Sequence, residues 1–305
     1  MSLRSDLYQG KNDVDFRPVW KKTLPVAASL IVASLVMLVT FGLDLSIDFD
    51  GGGIFEVPVD DDVSIADARD AVSLPEARIQ TVEDLDGNRF IRVQTTSADL
   101  DSSDAIVASL AELGGGTPDD VSVNTVGPTW GDQITDRAIR AVVFFVIAVS
   151  IYLAWRLEWR MAVGALVAVL HDLVLTAGVY SVFRFEVSPA TVIALLTIMG
   201  YSIYDTVVVY DKVYENAEDT TKTRNGYTAM VNDSMNQVLM RSINTTITTV
   251  LPVLSMLVLG GLFGGGSLRD FALALFIGLL LGTYSSLFVA APLLAWLKER
   301  WVPAS

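Results

Sequence analysis

The chain contains no cysteine and only one histidine. The lack of cysteine excludes disulfides, thiolate metal sites and a cysteine nucleophile. No lysine of the phosphate-binding-loop type follows the glycine-rich run at residues 260–267, and no twelve-residue calcium loop occurs among the acidic stretches. We therefore expect no cofactor, no bound nucleotide and no metal site.

Basic residues are scarce between Asp44 and Asp136, a segment that holds 21 acidic residues and four arginines. The whole chain carries a formal net charge of −14. Proteins that bind nucleic acid present a basic surface to its phosphates, so we expect no nucleic acid partner. The acidic segment resembles the surfaces of proteins from high-salt habitats.

Hydrophobic residues make up 52% of the chain. They gather in runs of roughly 20 residues, the length that a helix needs to cross a hydrocarbon core of about 30 Å. The six runs are residues 23–43, 138–155, 161–183, 187–212, 242–262 and 271–297. No small-residue cleavage site follows the first run, which is therefore expected to be a retained anchor. The sequence predicts a membrane all-α protein with six transmembrane helices.

Basic residues outside the acidic segment occupy four places, namely residues 1–22, 156–160, 212–241 and 298–300. These places fall on one side of the membrane if six helices alternate, and the positive-inside rule makes that side cytoplasmic. We expect a multi-pass cell-membrane protein with both termini in the cytoplasm and the acidic segment outside. The predicted division is a cytoplasmic lead (1–22), a first span (23–43), an external domain (44–136), a five-helix bundle (137–297) with a cytoplasmic loop (213–240), and a cytoplasmic end (298–305).

The lead ends in Phe16, Val19 and Trp20, just before the first span. Aromatic residues in that position favour the membrane interface. We expect a loosely ordered lead with an interfacial anchor.

The pattern of residues in the external segment predicts a series of short strands and helices. Strands are predicted at residues 54–59, 77–82, 89–95 and 121–126, and helices at residues 64–72 and 102–113. Ser64 and Asp67 form a capping-box-like start for the first of these helices, and a turn at residues 86–88 joins the second and third strands. The order β-α-β-β-α-β predicts a ferredoxin-like domain.

Asp205 lies inside the fourth apolar run, at a depth where a carboxylate costs several kcal/mol. Gly200, Ser202 and Thr206 around it are small or weakly polar, and such residues let helices approach closely in lipid. Asp211 lies about 120° further around the same helix, so the two acids cannot form a pair there. We interpret Asp205 as a buried, protonatable acid and Asp211 as part of the cytoplasmic end.

The fifth run opens with R-S-I-N-T-T-I-T-T from Arg241. The density of amide and hydroxyl groups, Asn244, Thr245 and Thr248 among them, suits interhelical hydrogen bonds or a water-lined path. Because the fourth helix runs inward and the fifth outward, Arg241 can reach the depth of Asp205. A nearby cation favours the ionised form of a carboxylate, and its withdrawal reverses that preference. The alternative is that Arg241 extends to the cytoplasmic interface.

The third run contains His171 and Asp172 near its middle. Adjacent residues on a helix point about 100° apart, so we expect no direct pair and a partner for each on a neighbouring helix. A structural brace and a role in proton relay both remain open for these two residues.

Several of these motifs resemble one family. The run G-Y-S-I-Y-D-T-V-V-V-Y-D-K-V-Y-E-N at residues 200–216 is similar to the fourth-helix signature of SecF, a family of protein-export membrane subunits. The D-F-D-G-G run at residues 48–52, the His171–Asp172 pair, the run at residues 241–252 and the final run from Leu268 are similar to other SecF segments. The resemblance extends over nearly the whole chain.

The resemblance implies a proton-driven membrane protein of the RND superfamily that is not an enzyme. It also implies SecD, the SecYEG translocon, a translocating polypeptide and membrane lipid as partners. The implied ion pathway has Asp205 as carrier and Arg241 as the tuning charge, with Asn244, Thr245, Thr248, Ser285, His171 and Asp172 along it. The motif residues with an implied structural role are Asp48, Gly51, Gly52, Gly200 and Tyr201.

Two other functions remain open from the residues alone. A small RND-like exporter of an ion or solute would have the same helices, and its external domain could use the same strand order. An intramembrane aspartyl protease would need a second aspartate facing Asp205 from another helix, usually in a G-x-G-D motif, and the chain has no such motif.

Overall fold

The computed structural model describes residues 14–75, 77–83, 87–96, 102–218, 226–262 and 266–300. Several predicted features lie partly outside the described residues: the cytoplasmic lead, the turn at residues 86–88, the loop at residues 213–240, the glycine-rich run and the C-terminal end.

The described elements are numbered here in chain order. They are α1 (Arg17–Phe41), β1 (Asp44–Leu45), α2 (Ile47–Asp50), β2 (Gly52–Val59), α3 (Ile65–Val72), β3 (Arg78–Glu83), β4 (Arg89–Thr95), α4 (Ser103–Leu113), β5 (Ser122–Val126), α5 (Pro128–Arg156), α6 (Trp159–Phe183), β6 (Glu186–Val187), α7 (Pro189–Glu218), α8 (Tyr227–Leu262), α9 (Gly266–Ser285) and α10 (Ala291–Arg300). A short 3₁₀ turn (Pro118–Asp120) precedes β5, and a π-helical turn (Ser286–Ala290) joins α9 to α10.

Six helical stretches among the described residues are long and apolar enough to cross a membrane. They are α1, α5, α6, α7, α8 and the last span, which comprises α9, the π-helical turn and α10. This confirms the prediction of a mainly helical, multi-pass membrane protein. The helix ends differ from the predicted ones, because hydropathy detects only the apolar part of a helix. α1 begins at Arg17 rather than residue 23, and α5 begins at Pro128, a residue suited to the first helical position, rather than residue 137.

Residues 52–126 form a separate sheet domain. Its four strands are all antiparallel and lie in the order β3-β4-β2-β5, with α3 and α4 covering one face. Buried side chains alternate with less buried ones along β2 and β4. The buried ones, which form the core of this domain, include Phe55, Val57, Ile91 and Val93. The predicted order of elements is observed, and the Ser64 capping box of α3 is present.

Gly51 and Gly52 turn the chain from α2 into the sheet domain. Both have positive φ angles, 73° and 134°. A Cβ atom at Gly52 would lie 2.1 Å from the carbonyl oxygen of Thr95, so only glycine fits against β4 there. β1 pairs in parallel with β6, and this pairing ties the entry of the sheet domain to the loop between α6 and α7.

The interior of the bundle is formed by α6, α7 and the last span, about half of whose residues are buried, whereas α1, α5 and α8 are largely exposed. α7 and α9 approach closely at Gly278, where a Cβ atom would lie 2.2 Å from Ile198 Cδ1. Ser202 and Thr206 are buried between these helices, as expected of small residues. Gly200 is exposed instead, with nothing within 4 Å of the position of a Cβ atom.

The expectation of a loosely ordered N-terminal lead is wrong for its described part. Phe16 and Trp20 are buried, at 6% and 4% exposure, whereas Val19 is exposed. Hydropathy could not detect this contact, because the surface that covers the two rings belongs to distant parts of the chain, including Phe288 and α8.

Candidate functional site

Asp205 lies on α7 between α8 and the last span and is 5% exposed. Its Oδ1 atom accepts a hydrogen bond from Ser242 Oγ at 2.7 Å. Its Oδ2 atom is buried and has no hydrogen-bond partner in the part of the chain that the structure describes. A buried polar atom without a partner is costly and marks a position where a proton or another small group can bind. Asp205 therefore has the environment expected of a protonatable acid in a membrane.

Hydroxyl groups of three helices surround this acid. Thr206 Oγ1 lies 3.0 Å from Ser286 Oγ, and Ser286 is close enough to interact with Asp205. Further along the same interface, Thr246 Oγ1 lies 2.8 Å from Thr283 Oγ1. The polar groups thus form a seam between α7, α8 and the last span.

Arg241 directly precedes Ser242 on α8 and is exposed. Its Nη2 atom donates a hydrogen bond to Tyr204 Oη at 3.0 Å, and no hydrogen bond joins it to Asp205 among the described residues. It is nevertheless near enough to interact electrostatically with Asp205. Arg241 lines a polar cleft of about 380 Å³, together with Asp211 and Arg156, which form an ion pair at 3.0 Å.

Two other predicted lining residues of α8 make their hydrogen bonds within that helix and not to Asp205. Thr245 Oγ1 donates to the Arg241 carbonyl at 2.8 Å, and Thr248 Oγ1 donates to the Asn244 carbonyl at 2.9 Å. Such hydrogen bonds to the preceding turn satisfy hydroxyl groups within one helix. The residue of α8 that contacts the acid is Ser242, which sequence reasoning passed over between the more conspicuous Arg241 and Asn244.

Asp172 forms a second buried polar cluster. Its Oδ2 atom accepts hydrogen bonds from Ser202 Oγ at 2.6 Å and from Ser285 Oγ at 2.7 Å. Its Oδ1 atom lies 3.0 Å from His171 Nδ1. Asp172 thus has the expected partners on neighbouring helices, but Ser285 belongs to this cluster and not to the surroundings of Asp205.

The prediction that His171 and Asp172 do not pair directly is wrong. The 100° between adjacent Cβ directions does not separate two long side chains, since rotation about their χ angles brings the ring nitrogen to the carboxylate. His171 Nε2 is buried and has no partner within the described residues. The ring centroid of Tyr284 lies 6.1 Å from that of His171.

Three of the predicted motif residues, Asp48, Gly51 and Gly52, lie where the chain passes from α2 into the sheet domain. Asp48 accepts a hydrogen bond from Ser46 Oγ at 3.2 Å and borders a polar cleft of about 350 Å³ between the sheet domain and the bundle. Burial and the nearby charge of Asp270 raise the pKa of Glu186, which lines the same cleft. Tyr201 Oη is buried without a partner among the described residues. No group of three or more His, Cys, Asp or Glu side chains in the described ranges could hold a metal ion.

Residues 106–300 match the family model described as "Protein export membrane protein SecD/SecF, C-terminal". The protein translocase subunit SecF of Streptomyces coelicolor is 40% identical over 98% of this chain and 80% of that relative. The SecF subunit of Rhodothermus marinus is 35% identical over 92% of each chain.

The fold is similar to that of solved SecDF structures. The crystal structure of SecDF, a translocon-associated membrane protein from Thermus thermophilus, matches with a TM-score of 0.80 and 31% identity. The match covers 98% of this chain, which spans 40% of the SecDF chain. A second SecDF crystal structure, in a form named super-membrane-facing, matches with a TM-score of 0.63 and 33% identity, over 93% of this chain and 38% of that chain.

Proposed function

The chain belongs to the SecD/SecF family of protein export membrane proteins, and from that premise we propose that it acts as a SecF subunit that uses an ion gradient, most simply of protons, to assist polypeptide export. The observation that carries the proposal is the half-satisfied carboxyl group of Asp205, buried where three spans meet. The similarity to SecF proteins supports the export role, and Asp205 supports the coupling.

The chemistry of Asp205 follows from its surroundings. When protonated, the carboxyl group is neutral and can remain in the dry interface between helices. When ionised, it carries a charge in an apolar environment, which is stabilised only if polar groups or water approach it. The ion-free and ion-loaded forms therefore favour different helix arrangements, and alternation between them gives a two-state motion.

Arg241 is placed to influence this alternation. It lies on the cytoplasmic side, bonded to the Oη atom of Tyr204, the residue before Asp205. Movement of its guanidinium towards the acid would favour the ionised form and release of the proton to the cytoplasmic cleft. Asp172 has hydrogen-bonding groups at both carboxyl oxygens and serves as a brace next to this pathway.

The sheet domain is the element through which the motion reaches the polypeptide. Its strand order β3-β4-β2-β5 is that of a split βαβ unit, and we infer a ferredoxin-like domain. The positive-inside distribution of charge puts this domain outside the membrane and both termini in the cytoplasm. There it would contact the translocating chain as it leaves the SecYEG channel.

A SecD-like subunit completes the assembly. α7 exposes a stripe along one face within the membrane-spanning part of the chain, formed by Ile193, Thr197, Gly200 and Tyr204. A stripe that includes small and hydroxyl residues suits close packing of another helix in lipid. We infer that this face of α7 contacts a SecD helix.

The substitution Asp205→Asn tests the coupling. Membrane vesicles with SecYEG and the SecD partner would be assayed for completion of polypeptide translocation with and without a proton gradient. We expect the gradient-dependent part of the rate to be lost and the gradient-independent part to remain. Asp233→Asn is the matched control, since Asp233 is on the neighbouring α8 but is exposed and does not line the cleft beside Arg241. Full gradient stimulation in the Asp205→Asn vesicles would contradict the proposal.

A further inference from the structure

The N-terminal segment, residues 14–20, is bound to the cytoplasmic part of α8 by two asparagines. Asn236 accepts a hydrogen bond from the Val14 backbone N–H at 3.1 Å and donates one to the Val14 carbonyl at 2.9 Å. Asn232 Oδ1, one turn earlier, accepts a hydrogen bond from the Phe16 N–H at 2.8 Å. Both asparagines are buried, at 5% and 6% exposure. Together they hold the backbone of this segment in one register.

This attachment places the Phe16 ring against the last span. The ring is 6% exposed and stacks on Trp20, with centroids 6.5 Å apart. Its other neighbour is Phe288, which it meets edge to face at 6.1 Å. Aromatic pairs in these geometries attract each other beyond the effect of the area that they bury.

Phe288 lies in the π-helical turn (Ser286–Ala290) that interrupts the last span. This turn also contacts α7, through the Thr206–Ser286 hydroxyl pair at 3.0 Å and the hydrogen bond from Tyr210 Oη to the Ala290 carbonyl at 2.9 Å. The turn is therefore held from α7 on one side and from the N-terminal segment on the other.

The register of such a turn depends on its neighbours. A π-helical turn contains one residue more than an α-helical turn, and its conversion to α-helix rotates the adjoining residues by about 100°. The rotation is that of the α9 side of the turn against the α10 side. Ser286 is the first residue of the turn, so rotation of the α9 side would move its hydroxyl group away from Thr206 and from the neighbouring Asp205. Ser285, the last residue of α9, would move with it, away from Asp172.

We propose that the N-terminal segment, through Phe16 and Phe288, sets the register of the π-helical turn and thereby positions Ser286 beside Asp205. Phe16 is then a positioning residue for the buried acid, on the cytoplasmic side and outside the membrane-spanning interior. The proposal rests on the proposed function only in taking Asp205 as the acid of interest.

Reaction with dicyclohexylcarbodiimide provides the test, because this apolar reagent modifies buried protonated carboxyl groups. The full-length protein in detergent or lipid would be labelled, and modification of Asp205 followed by peptide mass spectrometry. We expect Phe16→Ala and Ser286→Ala each to accelerate labelling of Asp205 by roughly twofold or more, a change typical of substitutions that alter coupling. Phe16→Tyr, which keeps the ring, should label at the unaltered rate.

Val19→Ala is the matched control, since Val19 is on the same segment but is 44% exposed. Labelling of Asp270 in the same samples reports any general loosening, which would accelerate both acids. If Phe16→Ala does not accumulate, Asn236→Ala carries the same test, because it removes both hydrogen bonds to Val14, together with one to the Asn232 carbonyl, and little packing volume.

An unchanged Asp205 labelling rate in Phe16→Ala, with acceleration in Ser286→Ala, would overturn the role of the N-terminal segment and leave the proposed function intact. Equal acceleration of Asp205 and Asp270 labelling in Phe16→Ala would also overturn the role of the N-terminal segment, because it would indicate general loosening. Failure of the proposed function is a separate result, namely gradient-dependent export that persists in Asp205→Asn.

Discussion

At the scale of single residues, the two buried aspartates differ in how completely they are hydrogen-bonded. Asp172 has donor groups at both oxygens, from Ser202, Ser285 and His171, so it has little capacity for a further ligand. Asp205 has a donor at one oxygen only. This difference makes Asp205 the better candidate for reversible proton binding and Asp172 the better candidate for a fixed brace.

Gly52 gives a residue-scale prediction about stability. Its φ angle of 134° and the 2.1 Å approach of a Cβ atom to the Thr95 carbonyl make any side chain there both strained and overpacked. We expect Gly52→Ala to destabilise the sheet domain by about 2–4 kcal/mol. Hydrogen exchange of β2 and β4 in the whole protein measures this.

Gly115→Ala is the control for that experiment. Gly115 follows α4 in the same domain and also has a positive φ angle, 66°, but nothing lies within 4 Å of the position of its Cβ atom. Its substitution should cost only the backbone strain, about 1–2 kcal/mol. Equal effects at the two glycines would contradict the steric argument.

At the scale of elements, the contact between α7 and α9 determines where the polar seam lies. Because Gly278 has no side chain, Ile198 packs directly on α9. A Cβ atom on Gly278 would lie only 2.2 Å from Ile198 Cδ1. Ser202 and Asp205 follow Ile198 by four and seven residues, so they lie on the same side of α7. The close approach of α7 to α9 at Gly278 therefore also brings these polar groups to the last span. The polar contacts of α7 therefore depend on the close approach of the two helices that Gly278 allows.

We predict that Gly278→Ala separates α7 from α9 and costs about 1–3 kcal/mol, the usual range for overpacking. The thermal midpoint of the detergent-solubilised protein should fall. Adding Ile198→Ala should restore most of the loss, because it removes the atoms that clash. Gly266→Ala, with nothing within 4 Å of its Cβ position, is the neutral control. A double variant that is as unstable as Gly278→Ala alone would count against this account.

The exposed face of α7 gives a second prediction at this scale. We expect Gly200→Trp to reduce co-purification with a SecD-type subunit, because the indole ring would prevent close approach of a partner helix at the exposed stripe. The protein itself should remain folded, since the site is empty within 4 Å. Val39→Trp, at a position 87% exposed on α1, is the control and should leave co-purification unchanged.

At the scale of the whole molecule, acidic groups lie at the junction between the sheet domain and the bundle. The polar cleft there is lined by Asp48, Glu56, Arg92, Glu186 and Asp270. Two ion pairs lie beside it, Arg78 with Asp44 at 2.6 Å and Arg92 with Glu56. We therefore expect the orientation of the sheet domain to depend on the protonation of acidic groups at this junction.

Glu186 gives the prediction at this scale. Burial first, and then the Asp270 charge, raise its pKa above the ordinary value of 4.5, against the opposing influence of Arg78 and Arg92. The folded junction therefore favours the protonated form of Glu186. The stabilisation that this protonated form gives the folded protein is complete when the pH is below the ordinary pKa of 4.5, and it is lost as the pH rises through the raised pKa. We expect Glu186→Gln to increase the thermal midpoint near neutral pH and to flatten its decline as the pH rises above the ordinary value of 4.5.

Glu112→Gln is the comparison, since Glu112 is on α4, outside the cleft. The midpoint of that variant should follow the pH dependence of the unaltered protein. A Glu186→Gln variant with an unchanged pH profile would show that the junction is not sensitive to this acid.

Local sequence patterns were sufficient to predict much of this architecture. Apolar run length predicted the six spans, alternation predicted β4 at its observed bounds, and the Ser64–Asp67 spacing predicted the start of α3. Asp205 was identifiable as a buried acid because a lone carboxylate within an apolar run of spanning length must lie inside the membrane. These features depend on residues that are near one another in the chain.

Contacts between distant segments were decided by the tertiary structure. Ser285 contacts Asp172 on α6 and the adjacent Ser286 pairs with Thr206 on α7, and a hydropathy pattern does not tell which neighbouring helix each of the two residues faces. Side-chain rotation brings His171 to Asp172, and helix packing delivers Ser242 to Asp205 in place of Arg241. The sequence by itself determined which segments are long and apolar enough to cross the membrane and which aspartates lie within them, because hydropathy is a local property. The partners of those aspartates depend on helix phase and packing, which exist only once the segments are assembled.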